Sequence, residues 1–322
     1  MLRKQLPQKS SSLEKAYKFL GGLDKNRDDH YTTARIKEFL NYLNNPQYNY
    51  KTIHIAGTSG KGSVAVMLAK ILEEAGYKTG LITSPYLVTP LEKIKINSRN
   101  ITENNLVKLV EKYKAEIKKY KLTYFEAFIA LSFIYFADQK VDWAVVETGL
   151  GGRLDATNVL KPEVAIITTI DFDHTDMLGK TLKQIAREKQ AITKNAKHSI
   201  TGSKLIKTAK YVNTSNYQLK TINQNQTIFN YKKYKNIKLN LVGEFQIKNA
   251  ILVIEASDII KIPRKYIYSG LSKANHIGRF EIISKQPLII MDGAHSEEKM
   301  KAFSSSLKKI ILEKNKYKNK YL

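Results

Sequence analysis

The segment IHIAGTSGKGSV at residues 53–64 constrains this chain more than any other stretch. A short apolar run at 51–56 leads into Gly57, Thr58, Ser59, Gly60, Lys61, Gly62 and Ser63, and an apolar helical pattern follows at 64–75. Strand, glycine-rich turn and helix in that order make an anion site. Backbone N–H groups at the helix start converge on a phosphate, and glycines let the backbone approach it closely. Lys61 stands where an ammonium reaches the outer phosphates, and Ser63 where a hydroxyl can face phosphate or Mg²⁺. The turn is shorter than the common G-x-x-x-x-G-K-[ST] pattern, and Gly62 separates the lysine from the hydroxyl. Glycine turns also serve packing alone, but packing requires neither the lysine nor the hydroxyl. The chain is expected to be a P-loop nucleotide-binding protein.

Hydrophobic periodicity places this turn in an α/β fold. Apolar runs at 78–84, 142–147 and 163–169 read as buried parallel strands, because they lack the polar alternation of a half-exposed sheet. Helices are expected over 10–45 (two), 102–119, 124–139, 182–193 and 247–260. Thr102 and Thr123 stand at N-cap positions, and Gly76 ends the helix after the glycine turn. Residues 196–240 are more polar and read as edge strands and loops. The expected sheet is mostly parallel and flanked by helices, in a domain over 1–283. A new strand at 287–292 and a helix from 296 to about 312 read as the start of an incomplete second α/β domain over 284–322.

Composition removes some classes. There is no cysteine, so disulfides and thiolate metal sites are excluded. The most apolar run, 125–137, is shorter than a membrane span and carries Glu126. The first residues have no apolar signal region. These absences predict a soluble, cytoplasmic protein with no membrane partner. The net charge is +25, but the lysines are dispersed, and a solvated basic surface explains them better than a nucleic-acid groove.

Ligands of an open α/β sheet gather beyond the carboxyl ends of its strands. Ser84, Glu147 and His174 each follow a strand end, so all three are candidates to meet beside the glycine turn. Ser84 and Glu147 offer the oxygen ligands that Mg²⁺ prefers. Residues 149–158 form a loop with three glycines, able to wrap a ligand. Thr123, Tyr124, Phe125 and Glu126 match a capping box, which fixes a helix start. Lys189, on the 182–193 helix, reads as a surface lysine from spacing alone.

Several blocks together resemble the Mur-ligase superfamily, and within it the folylpolyglutamate synthase/dihydrofolate synthase branch. They are GTSGKGS at 57–63, TSPYL at 83–87, LTYFEA at 122–127, VETGLGGRLDATNV at 146–159, DFDHTDMLGKTL at 171–182, GEFQIKNA at 243–250, GRFE at 278–281 and DGAH at 292–295. The resemblance covers nearly all of 10–300. It implies ATP and Mg²⁺ as cofactors, with Lys61, Lys189 and His174 catalytic and Lys189 carbamylated. It implies Ser84, Glu147 and His174 as metal ligands. Asn249, Arg279 and Asp292 join the glycine turn on the nucleotide. Thr123, Tyr124, Phe125, Glu126, Leu154, Asp155 and Ala156 contact the pterin. The implied reaction joins L-glutamate to the carboxylate of dihydropteroate or a folate through an acyl phosphate, by a monomer. Tyr86 and Ser296 replace the family's histidine and asparagine, and Gln190 and Ala191 depart from its EKAGI motif. The short 284–322 segment implies an impaired glutamate site. A Mur-type peptidoglycan ligase is disfavoured by the 122–127 and 149–158 blocks. A basic nucleotide- or nucleic-acid-binding module without ligase chemistry is the alternative from another class.

Overall fold

The structure is a computed structural model and describes residues 11–26, 32–285, 287–294 and 297–318. Its centre is an eight-stranded sheet. The strands are β1 (Lys51–Ala56), β2 (Thr79–Ile82), β3 (Ile94–Ile96), β4 (Arg99–Asn100), β5 (Trp143–Glu147), β6 (Val164–Ile167), β7 (His198–Thr201) and β8 (Lys210–Tyr211), in the order β4-β3-β2-β5-β1-β6-β7-β8. All pairings are parallel except those of the β3–β4 hairpin at one edge. The mostly parallel α/β sheet expected from periodicity is thus present. Its central strands are buried on both faces because helices cover the sheet on either side, even where β1 alternates Thr52 and His54 with isoleucines.

Burial follows the pleat of β1. Ile53 and Ile55 face one core with Val145, Val164 and Ile166, all fully buried. That core is closed by α3 (Lys61–Glu74), α8 (Glu244–Ile259) and α9 (Arg264–Lys273). The opposite core holds Ala144 and Val146 and is closed by α1 (Ser11–Gly21), α2 (Ala34–Tyr42), α4 (Glu103–Lys119) and α5 (Tyr124–Asp138). Phe128, Phe133 and Phe136 of α5 lie at its centre. Truncating one of them to alanine costs about 3–5 kcal/mol, since the buried surface is lost and a cavity remains. Ala165 and Ile167 of β6 pack on Ala186 of α7 (Leu182–Gln190) and on Ile192 of a 3₁₀ turn at Ala191–Thr193, and α6 (Thr175–Leu178) packs on α7.

Residues 196–240 divide. β7 and β8 extend the main sheet, whereas β9 (Gln218–Ile222), β10 (Thr227–Tyr231) and β11 (Tyr234–Leu239) form a separate antiparallel sheet. The β3–β4 hairpin and α6 were not legible by periodicity, and nor were two later elements. One is α9, which starts after Pro263 and buries Ile267 and Leu271. The other is β12 (Glu281–Lys285), which pairs antiparallel with β13 (Leu288–Met291). The 287–292 strand of the sequence reading is β13, so it has a neighbour. The helix expected from 296 is α10 (Glu297–Lys318). Ile310, Phe303 and Leu307 of α10 pack with Ile222, Val242 and Phe280, so this segment buries its apolar side on the small antiparallel sheet. Ser296 and His295 lie outside the described residues.

Candidate active site

The strand registers bring the site together. Ile55 of β1 is level with Glu147 of β5, and Ala56 is level with Ile167 of β6. The carboxyl ends of the three strands therefore form one rim. From it the chain turns through Gly57 and Gly60, both at positive φ (+148° and +86°), into α3. A Cβ at Gly57 would lie 1.9 Å from Thr168 Oγ1, and one at Gly60 2.2 Å from Asn249 Oδ1. Only glycine fits at either position. Thr58 and Ser59 are tied to the end of β6: the Thr58 N–H donates to the Thr169 carbonyl at 2.9 Å, and the Ser59 N–H to Thr169 Oγ1 at 3.0 Å.

Two lysines enter this loop. Lys61 Nζ donates to the carbonyls of Gly57 (3.1 Å) and Thr58 (3.5 Å). Lys189, on α7, is only 3% exposed and donates to the same Gly57 carbonyl at 3.0 Å. Burial, with Lys61 nearby, pulls the Lys189 ammonium down to about 8. The surface-lysine reading of Lys189 is therefore corrected: the amine sits inside the phosphate loop.

Ser63 is buried. Its Oγ accepts from Gln246 Nε2 at 3.2 Å and lies 3.3 Å from His276 Nδ1. Burial, with Arg279 and Lys95 adding to it, holds His276 down to about 3, so its ring is neutral. Gln246 also accepts from Asn249 Nδ2 at 2.9 Å. Asn249 thus stands beside Gly60. Arg279 lies close enough to oppose the upward shift that burial imposes on the Glu147 carboxyl. The Asp292 carboxylate is engaged within its own turn, accepting from the Phe280 N–H (2.6 Å) and the Ala294 N–H (2.7 Å).

Of the three candidate metal ligands, the structure joins two. Glu147 is buried, and its Oε2 accepts from the Ser84 N–H at 3.0 Å. Burial raises its carboxyl, while Lys61 opposes that shift. His174 instead caps α6 in left-handed backbone, with its side chain 56% exposed and its Nε2 3.7 Å from Asp173. Among the described residues, no three His, Cys, Asp or Glu side chains form a metal cage. A Mg²⁺ ion held by one or two protein oxygens, water and substrate phosphates fits Glu147 and Ser84.

Beside the rim lies a cavity of ≈ 520 Å³. Thr123, Phe125, Glu126, Leu154, Asp155 and Ala156 line it, six of the seven residues expected at the acceptor. Tyr124 packs elsewhere: its N–H donates to Asp24 Oδ1 at 3.0 Å, and its ring lies 4.6 Å from Lys93 Nζ. The capping box is formed, with Thr123 Oγ1 accepting from the Glu126 N–H and Glu126 Oε2 from the Thr123 N–H. Arg35 of α2 was not legible in the sequence. Its Nε lies 3.1 Å from Glu126 Oε2, in the wall of the cavity. Glu188 also lines the cavity, and the next residue, Lys189, reaches the phosphate loop.

A glycine loop at a strand–helix junction, with a cavity at the same sheet rim, defines a P-loop enzyme of the Mur-ligase type. The family model for the Mur ligase middle domain matches residues 55–257. The dihydrofolate synthase/folylpolyglutamate synthase of Bacillus subtilis is 33% identical over 309 residues, covering 85% of this chain and 71% of that protein. Folylpolyglutamate synthase of Thermotoga maritima superposes with a TM-score of 0.83 at 32% identity, covering 93% of this chain and 75% of that one. The Mycobacterium tuberculosis folylpolyglutamate synthase in complex with ADP and AMPPCP gives 0.80 at 29% identity, covering 92% and 73%. The chain belongs to the folylpolyglutamate synthase/dihydrofolate synthase family of Mur ligases, which are ATP-dependent ligases. Among the described residues, no helix is long and apolar enough to cross a membrane.

Proposed function

We propose that this chain uses ATP to join L-glutamate to the carboxylate of dihydropteroate or a folate. A carboxylate oxygen of the acceptor attacks the γ-phosphorus of ATP, and ADP leaves. The amine of glutamate then attacks the acyl carbon of the acyl phosphate, loses a proton, and expels inorganic phosphate. One observation carries this reading: the cavity with six of the expected acceptor residues is lined by Glu188, and its chain neighbour Lys189 donates to Gly57 of the phosphate loop, so cavity and loop lie on two sides of one short helical segment.

The residues divide by position. The 57–63 loop cradles the phosphates through its N–H groups, and Lys61 exchanges loop carbonyls for phosphate oxygens when nucleotide enters. Asn249 of α8 borders the loop at Gly60, Arg279 in the turn before β12 lies near Glu147, and Asp292 supports that turn. Glu147 and Ser84 are the residues proposed to hold Mg²⁺, which would neutralise charge on the transferring phosphoryl group; His174, at the exposed start of α6, stands apart from them. Lys189, carbamylated by CO₂, would present an anionic oxygen where the free amine now sits. Phe125, Leu154 and Ala156 supply apolar walls for a flat heterocycle, and Thr123, Glu126 and Asp155 stand at its polar edge.

The test uses the purified chain with ATP, Mg²⁺, dihydropteroate and labelled L-glutamate. The reading expects a glutamate conjugate and one ADP per conjugate, with all four components needed. ATP turnover that ignores both acceptor and glutamate contradicts it.

A further inference from the structure

On the face of β1 opposite Ile53 and Ile55, two polar side chains, Thr52 and His54, are buried in the sheet. His54 is 1% exposed, and its Nε2 lies 2.8 Å from Thr157 Oγ1. Thr157 is fully buried, and its Oγ1 lies 2.5 Å from Asp155 Oδ1. The same carboxylate accepts from the Thr157 N–H at 3.0 Å (Oδ1) and from the Leu150 N–H at 2.8 Å (Oδ2). Three hydrogen bonds from its own loop therefore converge on Asp155, which also lines the acceptor cavity.

The direction of this chain follows from what each group can do. With Asp155 ionised, its oxygens only accept, so the Thr157 hydroxyl gives its hydrogen to Asp155. Thr157 Oγ1 must then accept from His54, which requires a proton on Nε2. A neutral imidazole has one N–H, so the tautomer is fixed. His54 also stands three residues before Gly57, where the phosphate loop begins. A single short strand thus holds the phosphate loop through its backbone and the acceptor loop through one imidazole.

We infer that His54 is a positioning residue: through Thr157 it orients the Asp155 carboxylate that closes the 149–158 loop, and so fixes the acceptor cavity relative to the phosphate loop. This rests on the ligase reading above for its kinetic consequence, but the hydrogen-bond chain stands apart from it. His54 touches neither substrate. Its loss lets the acceptor loop loosen while leaving the nucleotide cradle in place, because the loop's Thr58 and Ser59 are held by β6.

The test compares His54→Phe, His54→Gln and Thr157→Val in the full chain. Losing one directed hydrogen bond of this kind corresponds to about a tenfold effect. His54→Phe and Thr157→Val are expected to raise the KM for dihydropteroate by about that factor, with the KM for ATP unchanged within about twofold. His54→Gln, whose amide keeps a donor at the end of the side chain, restores most of the loss. If KM for ATP and acceptor rise together in all three variants, or if none changes, the inference fails. Nitrogen-15 NMR of the histidine rings of the wild-type chain gives a second readout that does not depend on turnover. It is expected to show His54 protonated on Nε2 alone at pH 7, with that resonance moved in Thr157→Val. A ring protonated on Nδ1 only, or one unaffected by Thr157→Val, overturns the chain of donors. A wild-type chain that shows this NMR signature but does not turn over dihydropteroate counts against the ligase reading; His54 as an acceptor-positioning residue is then overturned with it, while the hydrogen-bond chain itself remains.

Discussion

Lys61 and Lys189 donate to one carbonyl oxygen, that of Gly57, at 3.1 and 3.0 Å. Two ammoniums at one acceptor repel each other, and Lys189, being buried, yields first: its titration lies at about 8. Near neutral pH a fraction of it is therefore a free amine, the form whose nitrogen can attack CO₂ and release a proton. With ¹³C-labelled bicarbonate at pH 8, we expect a carbamate resonance that Lys189→Met abolishes and Lys61→Met leaves in place. A spectrum without it contradicts the role proposed for Lys189.

The same shift has a sign in stability. Folding depresses Lys189 from 10.5 to about 8, so between those values the unfolded chain binds more protons and stability rises with pH. In CO₂-free buffer the wild type should gain about 3 kcal/mol over Lys189→Met between pH 7 and 10, at 1.36 kcal/mol per pH unit. Urea melts at the two pH values measure it, and parallel curves for the two proteins would refute it.

Lys61→Ala removes the cation proposed to face the phosphates, whose bonds here are to the loop carbonyls of Gly57 and Thr58. Hydrogen bonds to charged groups contribute about 1.5–3 kcal/mol, so affinity for Mg-ATP should fall roughly 10- to 150-fold with an unchanged melting temperature. Calorimetric titration decides, and equal affinities would remove the phosphate loop from the account.

Gly60→Ala places a methyl on Asn249 Oδ1 at a backbone φ of +86°. Left-handed backbone costs about 1–2 kcal/mol for a residue with a Cβ, and the clash moves Asn249 as well. Both nucleotide affinity and stability should fall, in contrast to Lys61→Ala. A variant that binds nucleotide normally would show that the loop re-forms without Asn249.

Thr123→Ala breaks a capping box in the cavity wall. Loss of the cap costs about 1 kcal/mol of stability, and the helix start that faces the acceptor frays. The KM for dihydropteroate should rise while that for ATP does not. A loss of stability alone, with acceptor kinetics unchanged, would make the box purely structural.

The residues explain which parts of this molecule were legible in sequence. The strands β1, β2, β5 and β6 are short apolar runs because both faces of the sheet are covered, and such runs stand out between glycine and threonine punctuation. Thr123 was legible because a cap and its partner lie three residues apart. The small antiparallel sheet was blurred because its outer residues are lysine and asparagine. Arg35, Gln246 and His276 carried no signal, since their partners lie 91, 183 and 213 residues away. In so basic a chain, no spacing distinguishes Arg35 or Lys189 from a surface cation. Tyr124 was placed with its neighbours at the acceptor, but a helix start sends successive side chains in different directions, and this one turns to Lys93.

The acyl phosphate is the centre of the account, and oxygen transfer tests it most directly. The acceptor is prepared with ¹⁸O in both carboxylate oxygens and incubated with the chain, ATP, Mg²⁺ and L-glutamate, and the released phosphate is analysed by mass. The account predicts one ¹⁸O in each phosphate formed per conjugate, because the carboxylate oxygen that attacks phosphorus leaves with it. Unlabelled phosphate, or label recovered in AMP, would contradict it.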